Sequence, residues 1–368
     1  MAKAIGGPTM ATGSPGNPVG GAPGNASGKD SPDASAKGNP KPAVLTTFPP
    51  LQAQTSLALA SGDFTDRGAC PLCGSVGEAS FETVYNFDVV PVRRCRDCGL
   101  IHSARIMSDA GTAKYYQDVF GSEFHKRGQM INADVNLAAL KKMLPMREII
   151  TFLDVGCGYG FLPWLLKSMG VKPMGVEISR GEAQHAKDYL NIDVRTGTLE
   201  DAGMPTNWFD AAACFEVIEH IPRPVQFLKK LAEHIRPNGY IIVGTDNFES
   251  PVVQRMGARY PKWIPHTHVN HFGPDTLAET IRRAGLKVES IWSYTPPENS
   301  VRSRLPKYRK PIDAKLAWNF SKHIKEEMGR NYPMFWLRNE LAKIWSGKVT
   351  LGKNGKGSMM FAVARPRS

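Results

Sequence analysis

Short apolar runs alternate with amphipathic stretches over the second half of the chain. The apolar runs predict buried strands, and the stretches with apolar residues on one face predict helices. Strands are predicted at 149–155, 173–177, 209–215, 239–244 and 286–292, and helices at 161–169, 181–190, 224–235 and 275–284. Strands that alternate with helices indicate a parallel sheet covered on both faces, with ligands at the carboxyl ends of the strands. The sequence therefore predicts an α/β fold.

The first part of the chain shows no such alternation. Residues 1–62 are rich in Gly, Pro, Ser, Asn and Ala, and almost no large apolar residue precedes Val44. Such a segment cannot bury enough apolar surface to offset its conformational entropy. We therefore expect a disordered tail, which acts as a linker or, alternatively, as a tether.

Four of the six cysteines stand in two CxxC pairs, each followed by glycine. The pairs are Cys70 with Cys73 and Cys95 with Cys98. Each pair places two thiolates on one tight turn, and two such turns complete a tetrahedral site for zinc. Because the protein supplies all four ligands, we expect a structural zinc ribbon; a redox pair is the alternative. The remaining thiols, Cys157 and Cys214, are expected to be packed in the core.

A glycine-rich loop follows the first strand of the predicted sheet. Asp154 lies at the end of that strand, and Gly156, Gly158 and Gly160 lead directly into the next helix. Glycines let the backbone turn tightly and let a ligand approach the peptide N–H groups. The GxGxG spacing lacks the third glycine of a dinucleotide fingerprint and the Lys-Ser/Thr of a phosphate-binding loop.

An acidic residue, Glu177, ends the second strand about 20 residues after the loop, where a carboxylate accepts hydrogen bonds from ribose hydroxyls. A ligand that bears a sugar is therefore predicted. The segment 209–222, FDAAACFEVIEHIP, contains the predicted strand 209–215 and the turn that follows it.

With these motifs, residues 151–294 resemble the class I S-adenosylmethionine-dependent methyltransferases. The resemblance implies a Rossmann-like seven-stranded sheet with S-adenosylmethionine bound at its carboxyl edge. It places Asp154 near the methionine amino group, Glu177 on the ribose, and Thr198 with Leu199 beside the adenine. The implied cofactor-binding residues are Asp154, Gly156, Cys157, Gly158, Gly160, Glu177, Ile178, Thr198, Leu199 and Phe215.

The predicted strand 209–215, which the resemblance makes the fourth strand of the sheet, leads into three residues that could act on a methyl acceptor. Glu216, Glu219 and His220 share one face if a helix begins at Glu216, and with a further histidine they could bind a divalent cation. A later loop contains three histidines, His266, His268 and His271.

The set Glu216, Glu219, His220 and His268 resembles the ExxEH and distal His of small-RNA 2′-O-methyltransferases and ubiquinone-pathway O-methyltransferases. There these residues bind a divalent metal, which implies Mg²⁺ or Mn²⁺ here. The alternatives are that His220 acts as an unassisted base or orienting group, or that the set is structural. The predicted catalytic residues are His220, Glu219 and His268.

The predicted function is O-methylation of a hydroxyl on a small molecule or glycan. Sugar C-methyltransferases share the order of zinc ribbon and core, but their loop resembles EHxxYFS, from which Thr267, His271 and Gly273 depart. A catalytically silent binding module is the other alternative. Amino-group methylation is disfavoured because no NPPY-like tetrad follows the fourth strand.

The formal net charge of +12 is concentrated at one end of the chain. Residues 299–368 contain 16 Lys and Arg against 4 Asp and Glu, and the first 298 residues are neutral. Apolar residues at helical spacing in this segment predict two amphipathic helices. The charge could be solvated, could recognise an anionic acceptor, or could dock residues 299–350 on an anionic membrane surface; nucleic acid is disfavoured.

The chain has no run of 18 apolar residues, and its N-terminus lacks an apolar signal core. We therefore expect a cytoplasmic protein, with peripheral membrane contact as the alternative. The predicted organisation is a tail at 1–62, the zinc ribbon at 63–105, a helical linker or cap at 106–148, the methyltransferase core at 149–298, the basic helical insert at 299–357 and the last strand with the C-terminus at 358–368.

Overall fold

The computed structural model describes residues 44–45, 61–87, 90–112, 123–295, 352–353 and 355–367. Most of the predicted tail, 1–62, and most of the basic insert, 299–357, lie outside the described residues. Predictions that concern those two segments therefore remain predictions.

Fourteen strands can be numbered in chain order within the described residues. They are β1 (Val44–Leu45), β2 (Phe64–Asp66), β3 (Phe81–Phe87), β4 (Val90–Cys95), β5 (Ile101–Ser103), β6 (Arg105–Met107), β7 (Thr151–Val155), β8 (Lys172–Glu177), β9 (Asp193–Thr196), β10 (Phe209–Phe215), β11 (Ile235–Asp246), β12 (Asn270–His271), β13 (Leu286–Tyr294) and β14 (Met359–Pro366).

The α-helices with bounds in the described part of the chain are α1 (Glu123–Met143), α2 (Phe161–Ser168), α3 (Arg180–Leu190), α4 (Pro224–Glu233), α5 (Pro251–Met256) and α6 (Pro274–Arg283). Side chains and prolines set several of their ends. Ser179 caps α3 by accepting a hydrogen bond from the Glu182 amide, and proline occupies the first turn of α4 and α6. These are the usual signals for helix starts.

Seven strands form the central sheet, in the order β13-β14-β11-β10-β7-β8-β9. All neighbouring pairs are parallel except those that involve β14, which is antiparallel to both β11 and β13. The Rossmann-like seven-stranded sheet is thereby confirmed. The edge strand β9 was not among the predicted strands, since only Val194 of its four residues is buried and its apolar pattern is weak.

Both faces of the sheet are covered, as the unbroken apolar runs predicted. Phe152 packs on one face in a cluster with Leu140 of α1 and Leu165 of α2. Its neighbour Leu153 points to the other face, in a cluster with Leu228 of α4 and Ile281 of α6. Alternate residues of one strand therefore enter opposite cores.

The strand register brings the polar ends of several strands together. Val155 at the end of β7 pairs with Val176 of β8 and Cys214 of β10, and Phe215 pairs with Gly244 of β11. The residues that follow these positions consequently lie along one edge of the sheet, where a parallel sheet binds its ligand.

A second, smaller sheet contains the CxxC region, in the order β1-β3-β4-β5-β12. Strands β3, β4 and β5 are consecutive and antiparallel, and β2 pairs with β6 in a separate two-stranded sheet. Strand β12 comes from a later part of the chain, after β11 of the central sheet. Among the described residues, no helix combines the length and apolar character needed to cross a bilayer.

Candidate functional site

The glycine loop adopts a backbone that only glycine accommodates without strain. Gly156, Gly158 and Gly160 have φ values of 73°, 54° and 81°, all in the left-handed region. A side chain would also collide with neighbours, because a Cβ at Gly156 would meet Val217 and one at Gly158 would meet Gln129. The loop is therefore packed closely between the end of β10 and helix α1.

Two buried carboxyl groups lie at the ends of the strands that flank this loop. The Glu177 carboxylate accepts hydrogen bonds from the amides of Gly158 and Ser179, both at 2.8 Å. Burial raises the pKa of Glu177 and of Asp154, and the nearby Glu177 charge raises the pKa of Asp154 further. The site thus concentrates backbone donors and acidic oxygens where the sequence predicted a nucleoside-bearing ligand.

Helix α1 contributes a side chain that the sequence did not identify. Gln129 Oε1 accepts a hydrogen bond from the Tyr159 amide at 2.9 Å, and Gln129 Nε2 donates to Glu182 at 2.9 Å. The carboxamide therefore ties the loop to α3. No motif marks Gln129, because it stands within an ordinary amphipathic helical pattern.

The other predicted cofactor residues surround the same edge. Ile178 is half exposed, whereas Leu199 is buried. The Thr198 hydroxyl donates to Asp201 at 2.8 Å. Phe215, at the end of β10, packs edge-on against Phe361 with ring centres 5.8 Å apart. Cys157 is buried, with its thiol pKa raised by burial.

The buried thiol of Cys214 lies within β10, and burial raises its pKa as well. Both cysteines outside the CxxC pairs are therefore protonated, packed thiols, as expected from the sequence.

No helix begins at Glu216, although Glu216, Glu219 and His220 could share one face only on such a helix. Glu216 has a φ of 55°, and a short 3₁₀ turn follows at Ile218–His220. Potential ligand atoms of Glu219, His220 and His268 lie within 4.8 Å of one another. Glu216 is directed elsewhere: its oxygens accept hydrogen bonds from Lys262 at 3.0 Å and from Asn132 at 2.7 Å.

The tautomer of His220 follows from its hydrogen bond. Nδ1 lies 3.0 Å from the Thr267 carbonyl oxygen, which can only accept, so Nδ1 carries the proton. The Nε2 lone pair is then available to an acceptor or a metal. Burial lowers the pKa of His220 to about 4, which keeps the imidazole neutral.

Glu219 is fully buried beside this imidazole. One carboxyl oxygen accepts a hydrogen bond from Thr245 at 2.9 Å, while the other has no hydrogen-bond partner among the residues that the structure describes. Burial raises the pKa of Glu219 to about 8, with further contributions from Asp246 and Glu216. An unsatisfied buried oxygen is costly unless a ligand completes it.

His268 lies against His220, with the rings edge-on and their centres 4.7 Å apart. It is buried, and its Nδ1 has no hydrogen-bond partner in the described part of the chain. Burial lowers its pKa well below the usual value, with the neighbouring His220 and Lys262 adding to the effect. The structure thus brings together the three residues predicted to be catalytic.

Lys262 is a charged neighbour of this group that the sequence did not identify. Its ammonium lies 3.0 Å from Glu216 and 3.8 Å from Asp246, and these two carboxylates raise its pKa well above the usual value. The lysine remains protonated and supplies a fixed positive charge next to the histidines. Lysine charges are common, so no sequence signal separates this one from the rest.

The geometry of the four CxxC cysteines fits a tetrahedral metal. The Sγ atoms of Cys70 and Cys98 are 3.5 Å apart, as are those of Cys73 and Cys95, and all four lie within 4.8 Å. Zn–S bonds of about 2.3 Å at tetrahedral angles separate the sulfurs by about 3.8 Å. None of the four forms a disulfide.

Comparisons with known proteins agree with this architecture. Residues 124–291 match the family described as a methyltransferase domain. A ubiquinone biosynthesis O-methyltransferase of Thiobacillus denitrificans is 30% identical over 155 residues, which cover 39% of this chain and 67% of that protein. One from Aromatoleum aromaticum is 30% identical over 158 residues, covering 39% and 68%. The chain therefore spans about two thirds of the length of these relatives.

A solved methyltransferase structure from Thermotoga maritima is 18% identical, with a TM-score of 0.46 over 67% of this chain and 95% of that one. On the family match and the curated relatives, the chain belongs to the class I S-adenosylmethionine-dependent methyltransferases. It is thus an enzyme, with S-adenosylmethionine as its cofactor, and not the silent binding module considered as an alternative.

Proposed function

We propose that the enzyme methylates a hydroxyl group of a small molecule or glycan. Asp154 and Glu177 would hold S-adenosylmethionine, and the glycine loop would let the cofactor approach the backbone closely. That cofactor supplies a methyl group already activated by its sulfonium. The protein must then position the acceptor and accommodate its proton.

The observation that carries this proposal is the neutral His220, which lies just beyond the strand end that packs on the glycine loop. Its Nδ1–H is held by the Thr267 carbonyl, so the Nε2 lone pair can accept a proton from a hydroxyl. Val217 packs against Gly156, so the turn that contains His220 directly borders the cofactor loop. The curated relatives are named as O-methyltransferases, which supports a hydroxyl acceptor.

Labelled methyl transfer tests this function directly. Methyl-labelled S-adenosylmethionine would be supplied with a catechol or a methyl glycoside, and the product analysed by mass spectrometry. We expect a methyl ether in at least one reaction. A methyl group on carbon in either product would contradict O-methylation and support the sugar C-methyltransferase alternative.

A divalent cation is the second candidate for the chemistry of this site. The unsatisfied Glu219 oxygen, the Nε2 lone pair of His220 and the His268 ring offer one oxygen and two nitrogens, a set that suits Mn²⁺ better than Mg²⁺. The Thr267 carbonyl would act as the outer partner that orients a ligating histidine. The nearby Lys262 ammonium favours the metal-free base, since it already places a positive charge there.

Calorimetric titration with Mn²⁺ distinguishes these two mechanisms. A metal site predicts saturable binding that His268→Ala abolishes, whereas an unassisted base predicts no such binding. Zinc in the CxxC site would be quantified separately in each preparation, so that the two metals are not confused.

We infer further that the basic residues of 299–368 recognise an anionic acceptor. The support is the concentration of the entire +12 charge in this segment. Peripheral membrane contact through 299–350 is the competing role. Co-sedimentation with anionic vesicles at low salt tests the competing role, because binding would support membrane contact and its absence would remove it.

A further inference from the structure

The small CxxC sheet ends on a strand from the acceptor site. In the antiparallel pair of β5 and β12, Ile101 lies opposite His271 and His102 lies opposite Asn270. Strand β12 begins two residues after His268. The CxxC sheet therefore pairs with the chain directly after His268, a proposed catalytic residue.

Ser103 adds hydrogen bonds to the loop that contains His268. Its amide donates to the Val269 carbonyl at 3.0 Å, and its hydroxyl donates to the Pro265 carbonyl at 2.7 Å. These two carbonyls lie on either side of the segment 266–268. The segment includes Thr267, whose carbonyl fixes the tautomer of His220.

Arg67 joins this loop to the turn that contains His220. Its guanidinium donates to the Val269 carbonyl at 2.8 Å and also to the Pro222 carbonyl, which lies two residues after His220. Asn270 makes a parallel connection by donating to the Ile221 carbonyl at 2.8 Å. One ribbon side chain thus holds two loops that are distant in sequence.

An aromatic cluster covers the rest of the junction. Trp263, shortly before the histidine loop, packs on Tyr85 of β3 with ring centres 5.1 Å apart, and on Phe248 at 4.6 Å. Phe87 of β3 completes the cluster and is almost fully buried. Such a dry, closely packed junction transmits a displacement of one part to the other.

Arg67 belongs to the same compact unit as the four cysteines. It lies three residues before Cys70, and its amide donates to the Ala104 carbonyl, directly after β5, at 2.8 Å. In the neighbouring strand β4, Arg93 stacks on the Phe81 ring at 3.8 Å, two residues before Cys95. The residue that reaches the acceptor loops is therefore anchored next to the Cys₄ group.

We propose that the CxxC ribbon, residues 63–105, positions the acceptor site. Arg67 is the positioning residue that connects the Cys₄ centre to the loops of His220 and His268. The inference rests on the proposed function only in treating those loops as the acceptor site. The ribbon contributes no reacting group. It sets where the histidines lie relative to the cofactor.

Arg67→Met tests the proposal, with Arg96→Met as the matched control. Arg96 is an exposed arginine of the same ribbon. Both variants should retain one zinc per chain and bind S-adenosylhomocysteine with wild-type affinity. In Arg67→Met alone, hydrogen exchange should accelerate at least about tenfold across 264–271, and kcat/KM for methyl transfer should fall by about 100-fold, as a 1 Å misplacement does.

Wild-type exchange across 264–271 in Arg67→Met would overturn the proposal, because the loop would then be held by other contacts. If Arg67→Met does not fold, Ser103→Ala decides the question, since it removes only the hydrogen bond to Pro265. That variant should show the same regional exchange change at smaller size, and an unchanged pattern would equally overturn the proposal. Exchange and zinc content need no acceptor, so the result stands even if no hydroxyl substrate is found.

Discussion

The cofactor side and the acceptor side of the site lie on neighbouring strand ends, yet different kinds of contact hold them. On the cofactor side, Glu177 bonds to the amide of Gly158, 19 residues earlier in the chain. On the acceptor side, Arg67 bonds to Val269, 202 residues away, and to Pro222, 155 residues away. The cofactor side is held by contacts within one strand, its loop and the next strand, and the acceptor side by contacts from a separate sheet.

This difference predicts that the two sides can be damaged independently. The glycine loop depends on its own backbone and on the packing of α1 and α3, which adjoin it in the fold. The histidine cluster depends on the ribbon, which the matched family region at 124–291 does not include. A perturbation of the ribbon should therefore disable transfer while cofactor binding survives.

Loss of the Cys₄ centre should have the largest effect. Cys95→Ser removes one of four ligands, and in small zinc domains the metal supplies on the order of 10 kcal/mol of folding free energy. We expect zinc content to drop, methyl transfer to fall below detection, and S-adenosylhomocysteine binding to persist. Metal analysis and calorimetry on one preparation measure all of this.

Cys214→Ala is the control for Cys95→Ser, because this buried thiol lies in β10 and outside the Cys₄ group. It should keep one zinc per chain. If Cys95→Ser lost cofactor binding together with transfer, the two sides would not be independent, and the comparison would fail.

His220→Ala should have the next largest effect, confined to the chemical step. Removing a general base costs about 10²- to 10⁴-fold in kcat, with cofactor affinity unchanged. His234→Ala is a matched control, since His234 lies outside the site and, like His220, hydrogen-bonds a backbone carbonyl through Nδ1, that of Pro205 at 3.1 Å. A kcat within threefold of wild type in His220→Ala would exclude His220 as the base.

Glu177→Gln should weaken the cofactor side alone. Hydrogen bonds to a charged group contribute about 1.5–3 kcal/mol, so we expect about 10- to 100-fold weaker S-adenosylhomocysteine binding by calorimetry. The exposed Glu200, changed to Gln, serves as control. Zinc content and exchange across 264–271 should match wild type. Weaker zinc retention in Glu177→Gln would contradict the separation of the two sides.

The same contrast explains what the sequence could reveal. Asp154, the glycines and Glu177 follow from local spacing, because strand and loop geometry fix their relative positions. The site of the four cysteines can be recognised in the same way, since each pair occupies one turn. Glu219 and His220 were singled out by their spacing, whereas His268 was chosen from the three loop histidines only through a family resemblance.

The helix expected at Glu216 does not form, because the left-handed backbone at that residue turns its side chain toward Lys262. Lys262, Gln129 and the pairing of β12 with β5 could not be anticipated. Each depends on a contact between segments that are distant in sequence, and hydrophobic periodicity contains no information about such contacts.

The smallest predicted effect concerns Glu182, which supports the cofactor loop through Gln129 and is 2% exposed. Burial raises its pKa to about 7, so between about pH 4.5 and pH 7 the folded state retains a proton that the unfolded chain has lost. Stability should therefore decrease as the pH rises through this window.

Glu182→Gln keeps the acceptor for Gln129 and removes the charge. We therefore expect the variant to be more stable than wild type at pH 8, by on the order of 1–3 kcal/mol, and equally stable at pH 4. Urea denaturation at both pH values measures the difference, with the exposed Glu148→Gln as control. An equal difference at the two pH values would show that the pKa of Glu182 is the same in the folded and unfolded states, and that burial beside Gln129 adds nothing pH-dependent to the cofactor side.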